Sequence, residues 1–225
     1  MQATTFSVLS SDLSGVGAAV REARGASTPS GAILFASGSM AESAERVLGE
    51  AQLALGTTPV VLATASGVLT ERGEQEGASA LAGLVWRGGS VASLFVGSDA
   101  RPESVASSLA EQIGAALGER PGTAVLFAQP QACSTRTLQQ LGRAAPRVTV
   151  IGGGTLPRGA LAATPSGKVA LGSVVGLVLA GLARPAVRAT PACRLLAPLA
   201  PVTEARGSMV LRLGAQPALD RLTSS

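Results

Sequence analysis

The sequence has no histidine and no tyrosine, and only 2% of its 225 residues are aromatic. Without histidine, Ser-His-Asp and Cys-His catalysis, histidine-ligated metals and a histidine-ligated haem are all excluded. Lys168 is the sole lysine and lies beside a predicted turn, so it is better explained as a solvated side chain than as a Schiff-base former. We therefore expect neither catalytic residues nor a cofactor.

Cysteine is also scarce. Cys133 and Cys193 are too few for a disulfide framework, and their spacing fits no metal motif, so no metal site is expected. The N-terminus lacks the basic segment and apolar run of a signal peptide. The longest uncharged window, residues 169–183, is too short and glycine-rich to span a bilayer. These features predict a reduced, cytoplasmic protein without a membrane partner.

Charged residues make up only 14% of the chain, although its net charge is +4 and its pI is about 10.4. The arginines are scattered, and binding to a phosphate backbone needs several cations on one face, so no nucleic-acid partner is expected. The pairs of glycines that resemble phosphate-binding loops also lack the required neighbours, since Gly167-Lys168 is followed by Val169 and Gly15-Val16-Gly17 has no third glycine.

Apolar residues, at 46%, are sufficient for a large core. Short β-branched runs alternate with amphipathic segments, which predicts an α/β fold with a mixed sheet flanked by helices. The helix over 39–55 has an apolar stripe, a capping box of Ser39 and Glu42, and a C-terminal cap at Gly56. Gly88-Gly89 predicts a tight hairpin between strands 79–86 and 91–96. The other predicted strands are 4–9, 32–36, 60–63, 123–128, 148–151 and 174–180, and the other predicted helices are 14–23, 102–117 and one from Ser134 or Thr135 to Arg143.

Two segments resemble each other. The run Ile33–Ala36 (ILFA) recurs as Val125–Ala128 (VLFA), and each is followed by a helix, a β-branched strand, a small-residue turn and a final strand pair. We infer an internally duplicated β-α-β-β-β unit, with halves at 31–97 and 122–181 of a domain covering 1–185. The halves form either one continuous sheet or two stacked sheets. The proline-rich remainder, 186–225, is predicted to be a strand-rich C-terminal strap.

Several fragments in this order resemble the FIST N domain family. They are the strand ILFAS, the turn PVVLATASG, the acidic loop Gly73–Gly77, the turn VIGGG at 150–154, the strand 172–177, and the tail pairs Cys193-Arg194, Val202-Thr203, Val210-Leu211 and Pro217-Ala218-Leu219. The resemblance covers the chain from Gly31 onward. It implies a sensory domain that binds a small ligand and passes a signal to a partner protein.

The chain also departs from the family pattern. Leu62-Ala63 replaces a Gly-Cys pair, Leu195 replaces a proline, and the family's C domain is expected to be absent after Ser225. Because of this absence, we expect an exposed edge at 208–213 that pairs with another chain and could make a homo-oligomer. One branch of the family is linked to haem-based nitric oxide sensing, for which a chain without histidine is a poor candidate.

The candidate ligand-binding residues lie in the predicted turns, the acidic loop and the tail. We expect a pocket near the ends of the strands that finish at Ala63 and Ile151, for an amino acid or a small carboxylate. Consecutive glycines offer backbone N–H groups to an anion, although a tight strand-exit loop is the simpler explanation for them. Cys133 precedes a helix start, where a thiolate is favoured. The predicted set is Thr64, Ser66, Gly67, Glu74, Gly152, Gly153, Cys193 and Arg194.

Two other functions stay open at this point. A ligand-free interaction scaffold would have a filled interior and an exposed apolar patch. A cysteine-dependent enzyme would use Cys133 or Cys193. The preferred prediction is a non-enzymatic sensory domain.

Overall fold

The computed structural model describes residues 2–70, 73–157, 159–163, 169–182, 185–187, 200–207 and 209–223. The chain folds into two compact units, Met1–Pro185 and Ala186–Ser225. The elements of the first unit are β1 Gln2–Val8, α1 Ser14–Arg24, β2 Gly31–Ser37, α2 Gly38–Glu42, α3 Ala44–Leu55, β3 Val60–Thr64, β4 Gly67–Thr70, β5 Gly73–Glu76, β6 Ala80–Arg87, β7 Ser90–Gly97, α4 Pro102–Leu117, β8 Gly122–Ala128, α5 Thr135–Ala144, β9 Val148–Gly154, β10 Ala160–Ala163 and β11 Val169–Ala180.

The ends of the helices follow local sequence signals. Helix α4 begins with Pro102, whose missing N–H is not needed in the first turn. The hydroxyl of Ser134 accepts a hydrogen bond from the N–H of Thr137 at the start of α5. Gly56 ends α3 with a φ of 68°, and its N–H donates to the carbonyl of Gln52. The predicted cap at Gly56 is therefore confirmed.

The predicted single helix over 39–55 is wrong, because the chain breaks at Ser43 into α2 and α3. The predicted capping box is also wrong. The Ser39 side chain forms a hydrogen bond with the hydroxyl of Ser79 at 2.8 Å instead of capping its own helix. The short helix α2 is thus tied to the residue before β6, and the apolar stripe continues across the break through Met40, Ala44, Val47 and Leu48.

Nine strands of the described chain form one continuous mixed sheet in the order β1-β6-β2-β3-β10-β11-β8-β9, with β7 also paired to β11. Gly88 and Gly89 have the predicted positive φ angles, 96° and 75°. The predicted hairpin between β6 and β7 is nevertheless wrong. Both edges of β6 are already occupied by β1 and β2, so β7 pairs with β11.

Two sets of strands share one pairing pattern. In the first set, β1-β6-β2-β3, the successive pairs are antiparallel, antiparallel and parallel. The second set, β7-β11-β8-β9, repeats that sequence of pairs. Strand β7 therefore pairs within the second set, although the predicted halves placed it in the first. An internal duplication would produce such a pattern, and β10 joins the sets by pairing with β3 and β11.

Three apolar clusters explain why the sheet folds over on itself. Helices α1 to α3 cover one face of the first set, and α4 and α5 cover one face of the second set. The third cluster contains residues from the opposite faces of both sets, which pack on each other and include Ile33, Val61, Trp86, Phe127, Val175 and Leu177. The sequence left open one continuous sheet or two stacked sheets. The structure combines the two, because one hydrogen-bonded sheet contains two sets of strands that pack face to face.

The second unit contains a small sheet, β12 Val202–Arg206, β13 Met209–Leu213 and β14 Gln216–Pro217, followed by α6 Ala218–Thr223. The prediction that 208–213 forms an exposed strand edge is wrong. Strand β13 is the middle strand of the small sheet and pairs with both β12 and β14. None of the helices in the described part of the chain is long and apolar enough to cross a bilayer.

Candidate functional site

A cavity of about 400 Å³ lies at the carboxyl ends of two pairs of parallel strands, β2 with β3 and β8 with β9. We call it the inter-set cavity, because its wall contains residues of both sets. It lies where the sequence predicts a pocket, near Ala63 and Ile151. Its lining residues are Phe35, Ala63, Thr64, Ala65, Val125, Phe127, Ile151, Gly152, Gly153 and Gly154.

The space exists because each set places a small residue beside a phenylalanine. Phe35 of β2 pairs with Ala63 of β3, and Phe127 of β8 pairs with Gly153 of β9. Paired residues of neighbouring strands point to the same face of a sheet. Neither Ala63 nor Gly153 can fill the volume next to its aromatic neighbour, so open space remains on this face of the sheet.

The side chains of Phe35 and Phe127 contact each other in the wall of the cavity. Their ring centroids are 5.4 Å apart, and the ring planes are at 87° to each other, which is an edge-to-face contact. Phe127 is buried and Phe35 is half-buried. Since one ring belongs to each set, this contact joins the two sets in the wall of the cavity.

Thr64 is a polar side chain in the wall and is only 1% exposed. Its hydroxyl donates a hydrogen bond to the carbonyl of Gly159 at 2.7 Å. Its own carbonyl accepts from the N–H of Leu156 at 3.1 Å. Thr64 therefore ties the end of β3 to the segment that follows β9, and its hydroxyl hydrogen is already in use.

The glycines at 152–154 are not the predicted loop, because β9 continues through Gly154 and pairs with β8. Gly152 has a φ of 145°, and a Cβ atom there would lie 1.8 Å from the carbonyl oxygen of Leu126, so position 152 requires glycine. A Cβ atom at Gly153 would meet nothing within 4 Å. Strand β9 ends the strand order, so one of its edges has no paired strand among the described residues. Its three glycines line the cavity.

The other predicted binding residues divide into two groups. Ser66, Gly67 and Glu74 lie on or next to the hairpin of β4 and β5, which the sequence predicted as a charged loop, and they do not line the cavity. Glu74 is exposed, and β5 pairs it with Leu69. Cys193 and Arg194 lie outside the described residues, as does the predicted turn at 166–167. Of the predicted set, the cavity brings together Thr64, Gly152 and Gly153.

Cys133 does not line the cavity either. It is half-buried just before α5, and burial raises the pKa of its thiol above the ordinary value. The start of a helix favours a thiolate, but burial shifts the pKa of this thiol in the opposite direction. Within the described residues, no cluster of three or more cysteine, aspartate or glutamate side chains is placed to hold a metal ion.

The sequence prediction did not include the largest groups in the wall, which are Phe35, Val125, Phe127 and Ile151. The repeated motifs ILFA and VLFA contain both phenylalanines and could have revealed them, because equivalent residues of two packed copies meet across the interface. A second cleft of about 300 Å³, lined by Pro121, Gly122, Thr123, Pro146, Arg147, Val148, Thr149 and Leu182, lies at the other end of β8 and β9.

The family described as FIST N domain matches residues 31–216, which is more than half of the chain. No curated protein matches the chain.

Proposed function

The chain belongs to the FIST N domain family, a family of sensory and signalling domains, and we propose that it binds a small ligand in the inter-set cavity and passes the signal to a partner protein. The observation that carries the proposal is the composition of the wall, to which both sets of strands contribute. A ligand there would contact residues that belong to two packed halves of one sheet. We also infer that the two sets arose by internal duplication, as their shared pairing pattern suggests.

The ligand acts by favouring one arrangement of the two sets. Phe35 and Phe127 are close enough to contact each other, so a molecule between or beside them changes the energy of that contact. A ligand shifts a conformational equilibrium only by its difference in affinity for the two states. The residues that touch both ligand and sheet, above all Phe35 and Phe127, would supply that difference.

The wall supports binding without catalysis. None of the described lining residues is an acid, a base or a thiol. Thr64 has the only side-chain hydroxyl in that part of the wall, and this hydroxyl donates to the carbonyl of Gly159 instead of to a base that could activate it. We therefore propose a sensory role in which the bound molecule leaves unchanged.

Thermal unfolding in the presence of a metabolite panel tests this function. The panel contains amino acids and small carboxylates, the ligands expected from the candidate residues in the sequence, together with neutral ring compounds. A ligand at 100 times its Kd stabilises the folded state by about 2.7 kcal/mol, which raises the melting temperature measurably. A panel in which no compound stabilises the protein would contradict the proposal.

The matched control for this screen is Gly153→Phe. A side chain at 153 would point to the same face as Phe127 and enter the cavity. The variant should lose the stabilisation that a cavity ligand gives to the natural protein. Equal stabilisation of both proteins would show that the compound binds elsewhere.

An interaction scaffold is a second candidate, favoured by one observation in the second unit. Val202, Met209 and Val210 are 55%, 64% and 42% exposed, so the small sheet presents apolar side chains to solvent. These residues could receive the signalling partner or a second copy of the chain. Size-exclusion chromatography with light scattering tests the second copy, and a monomer at high concentration would contradict a homo-oligomer.

A further inference from the structure

The wall of the inter-set cavity consists almost entirely of apolar side chains and glycine backbone. From this wall we infer that the ligand is a neutral molecule with a flat, apolar ring, and not the amino acid or small carboxylate that the candidate residues of the sequence suggested. The inference rests on the proposed function, since it names the chemical class of the molecule that the cavity holds.

Two aromatic rings contribute to the wall. Phe35 and Phe127 form an edge-to-face pair, and Val125 and Ile151 are a neighbouring pair of apolar residues in β8 and β9. Aromatic rings attract further rings in edge-to-face or offset stacked arrangements, worth about 0.5–1.5 kcal/mol beyond the burial of area. A ligand ring that approaches this pair would find apolar contacts from both sets of strands.

The described residues of the wall offer no partner to a charged group. No described residue of the wall is charged, and the hydroxyl hydrogen of Thr64 is already donated to the carbonyl of Gly159. A buried carboxylate or ammonium group needs a partner charge or several hydrogen bonds, because its loss of hydration is expensive. The glycines of β9 are extended strand residues paired with β8, so they do not form the concave turn of N–H groups that holds an anion.

One side of the cavity is lined by glycine backbone. Gly152, Gly153 and Gly154 are exposed, whereas Ala63, Thr64 and Phe127 are buried. The glycine backbone lines the cavity, and one edge of β9 has no paired strand within the described ranges, so backbone N–H and C=O groups there can bond one neutral polar group of a ligand. The ring then occupies the buried side, against the phenylalanines.

The size of the cavity agrees with a compound of this class. A dry apolar cavity of about 150 Å³ holds one benzene molecule. A volume of about 400 Å³ is therefore large enough for one ring with a substituent or for two fused rings. It also lies within the range of about 300–1,000 Å³ that is usual for small-molecule sites.

Three probes of the same size and different charge test the inference: benzamide, benzoate and benzylammonium. Their affinities are measured at neutral pH by calorimetry or by ligand-observed NMR, on the natural protein and on the cavity-filling variant Gly153→Phe. We expect benzamide to bind at least about tenfold more tightly than either ion, because neither ion finds a partner charge in the wall. Its binding should be lost in Gly153→Phe and kept in Leu53→Ala, a control at a residue of α3 that is 80% exposed.

If Gly153→Phe does not fold, Ala65→Leu gives a second cavity-filling variant, since Ala65 is half-buried and its N–H bond to the carbonyl of Ala36 does not involve the side chain. If benzoate or benzylammonium binds more tightly than benzamide and this binding is lost in the filled variant, the inference of a neutral ligand is overturned. The proposed function would then remain intact. If none of the probes binds, or if binding is the same in the filled variant, the inference is overturned. If the metabolite panel then also gives no stabilisation, the proposed function falls with it.

Discussion

Phe35 and Phe127, which lie 92 positions apart in the chain, contact each other edge to face with ring centroids 5.4 Å apart. Each is the third residue of a repeated motif, ILFA or VLFA, and each pairs with a small residue of the next parallel strand. This contact joins the two sets of strands and also forms part of the cavity wall. The same two side chains thus contribute to the stability of the fold and to the candidate binding site.

A double-mutant cycle tests whether the ring contact couples the two sets. Phe35→Leu and Phe127→Leu each remove one ring and retain an apolar side chain. We expect a coupling free energy of about 0.5–1.5 kcal/mol between them, measured from urea unfolding of the two single variants and the double variant. Strictly additive changes would contradict a direct contact between the rings.

Gly152 and Gly153 are adjacent, yet alanine should affect them very differently. A Cβ atom at 152 would overlap the carbonyl oxygen of Leu126, so Gly152→Ala must separate β8 from β9. We expect it to lower the free energy of unfolding by about 2–3 kcal/mol. Gly153→Ala, whose Cβ atom meets nothing, should change that free energy by less than about 0.5 kcal/mol. Equal effects in denaturant unfolding would show that the strands are paired differently.

Thr64 is expected to stabilise the segment that follows β9. Thr64→Val preserves the shape and removes the hydroxyl that donates to the buried carbonyl of Gly159. The free energy of unfolding should fall by about 1–2 kcal/mol, whereas Thr64→Ser keeps the donor and should lose less. Urea unfolding of the two variants measures the difference. If valine is tolerated better than serine, the hydroxyl makes no stabilising hydrogen bond.

Cys133 should react slowly at neutral pH. Burial raises the pKa of its thiol, so the folded protein contains less thiolate at pH 7 than the unfolded chain does. In a Cys193→Ser background, alkylation by iodoacetamide at pH 7 should be slower for folded than for unfolded protein, and it should accelerate as the pH rises. Faster alkylation of the folded protein would contradict the raised pKa.

The same thiol also makes stability depend on pH. As the pH rises, the unfolded chain loses the proton of Cys133 before the folded protein does, so the free energy of unfolding falls between the ordinary pKa and the raised one. In Cys133→Ala, the free energy of unfolding should fall less over this pH range, because the variant has no thiol at position 133. The comparison needs unfolding curves of both proteins from neutral to alkaline pH.

The strands and most helices could be predicted because their signals are local. The run Ala32–Ala36 is apolar throughout and lies in a buried strand, and Gly56 ends α3 with a left-handed φ. The break at Ser43 was missed because Ser39 makes its hydrogen bond to Ser79, a partner 40 residues away. The prediction of a hairpin at Gly88-Gly89 was wrong because of contacts that are distant in the sequence. Strands β1 and β2 occupy both edges of β6.

The location of the cavity could be predicted, and its chemistry could not. The strand pattern put a pocket near Ala63 and Ile151, and Thr64, Gly152 and Gly153 do line the wall, although β9 continues three residues past its predicted end. Glu74 was included for its charge alone, but the hairpin of β4 and β5 presents it to solvent. The contact between Phe35 and Phe127 depends on how two sets of strands fold over each other, and periodicity in the sequence does not contain that information.

The most direct test of a ligand in the inter-set cavity uses the phenylalanine ring signals. The chain contains four phenylalanines, and only Phe35 and Phe127 line the cavity, so Phe6 and Phe95 serve as internal controls. Protein labelled with ¹³C-phenylalanine is titrated with the compound of the metabolite panel that raises the melting temperature most. We predict that the ring signals of Phe35 and Phe127 shift together with one Kd while those of Phe6 and Phe95 stay in place. Shifts confined to Phe6 and Phe95, or no shift at saturation, would contradict it.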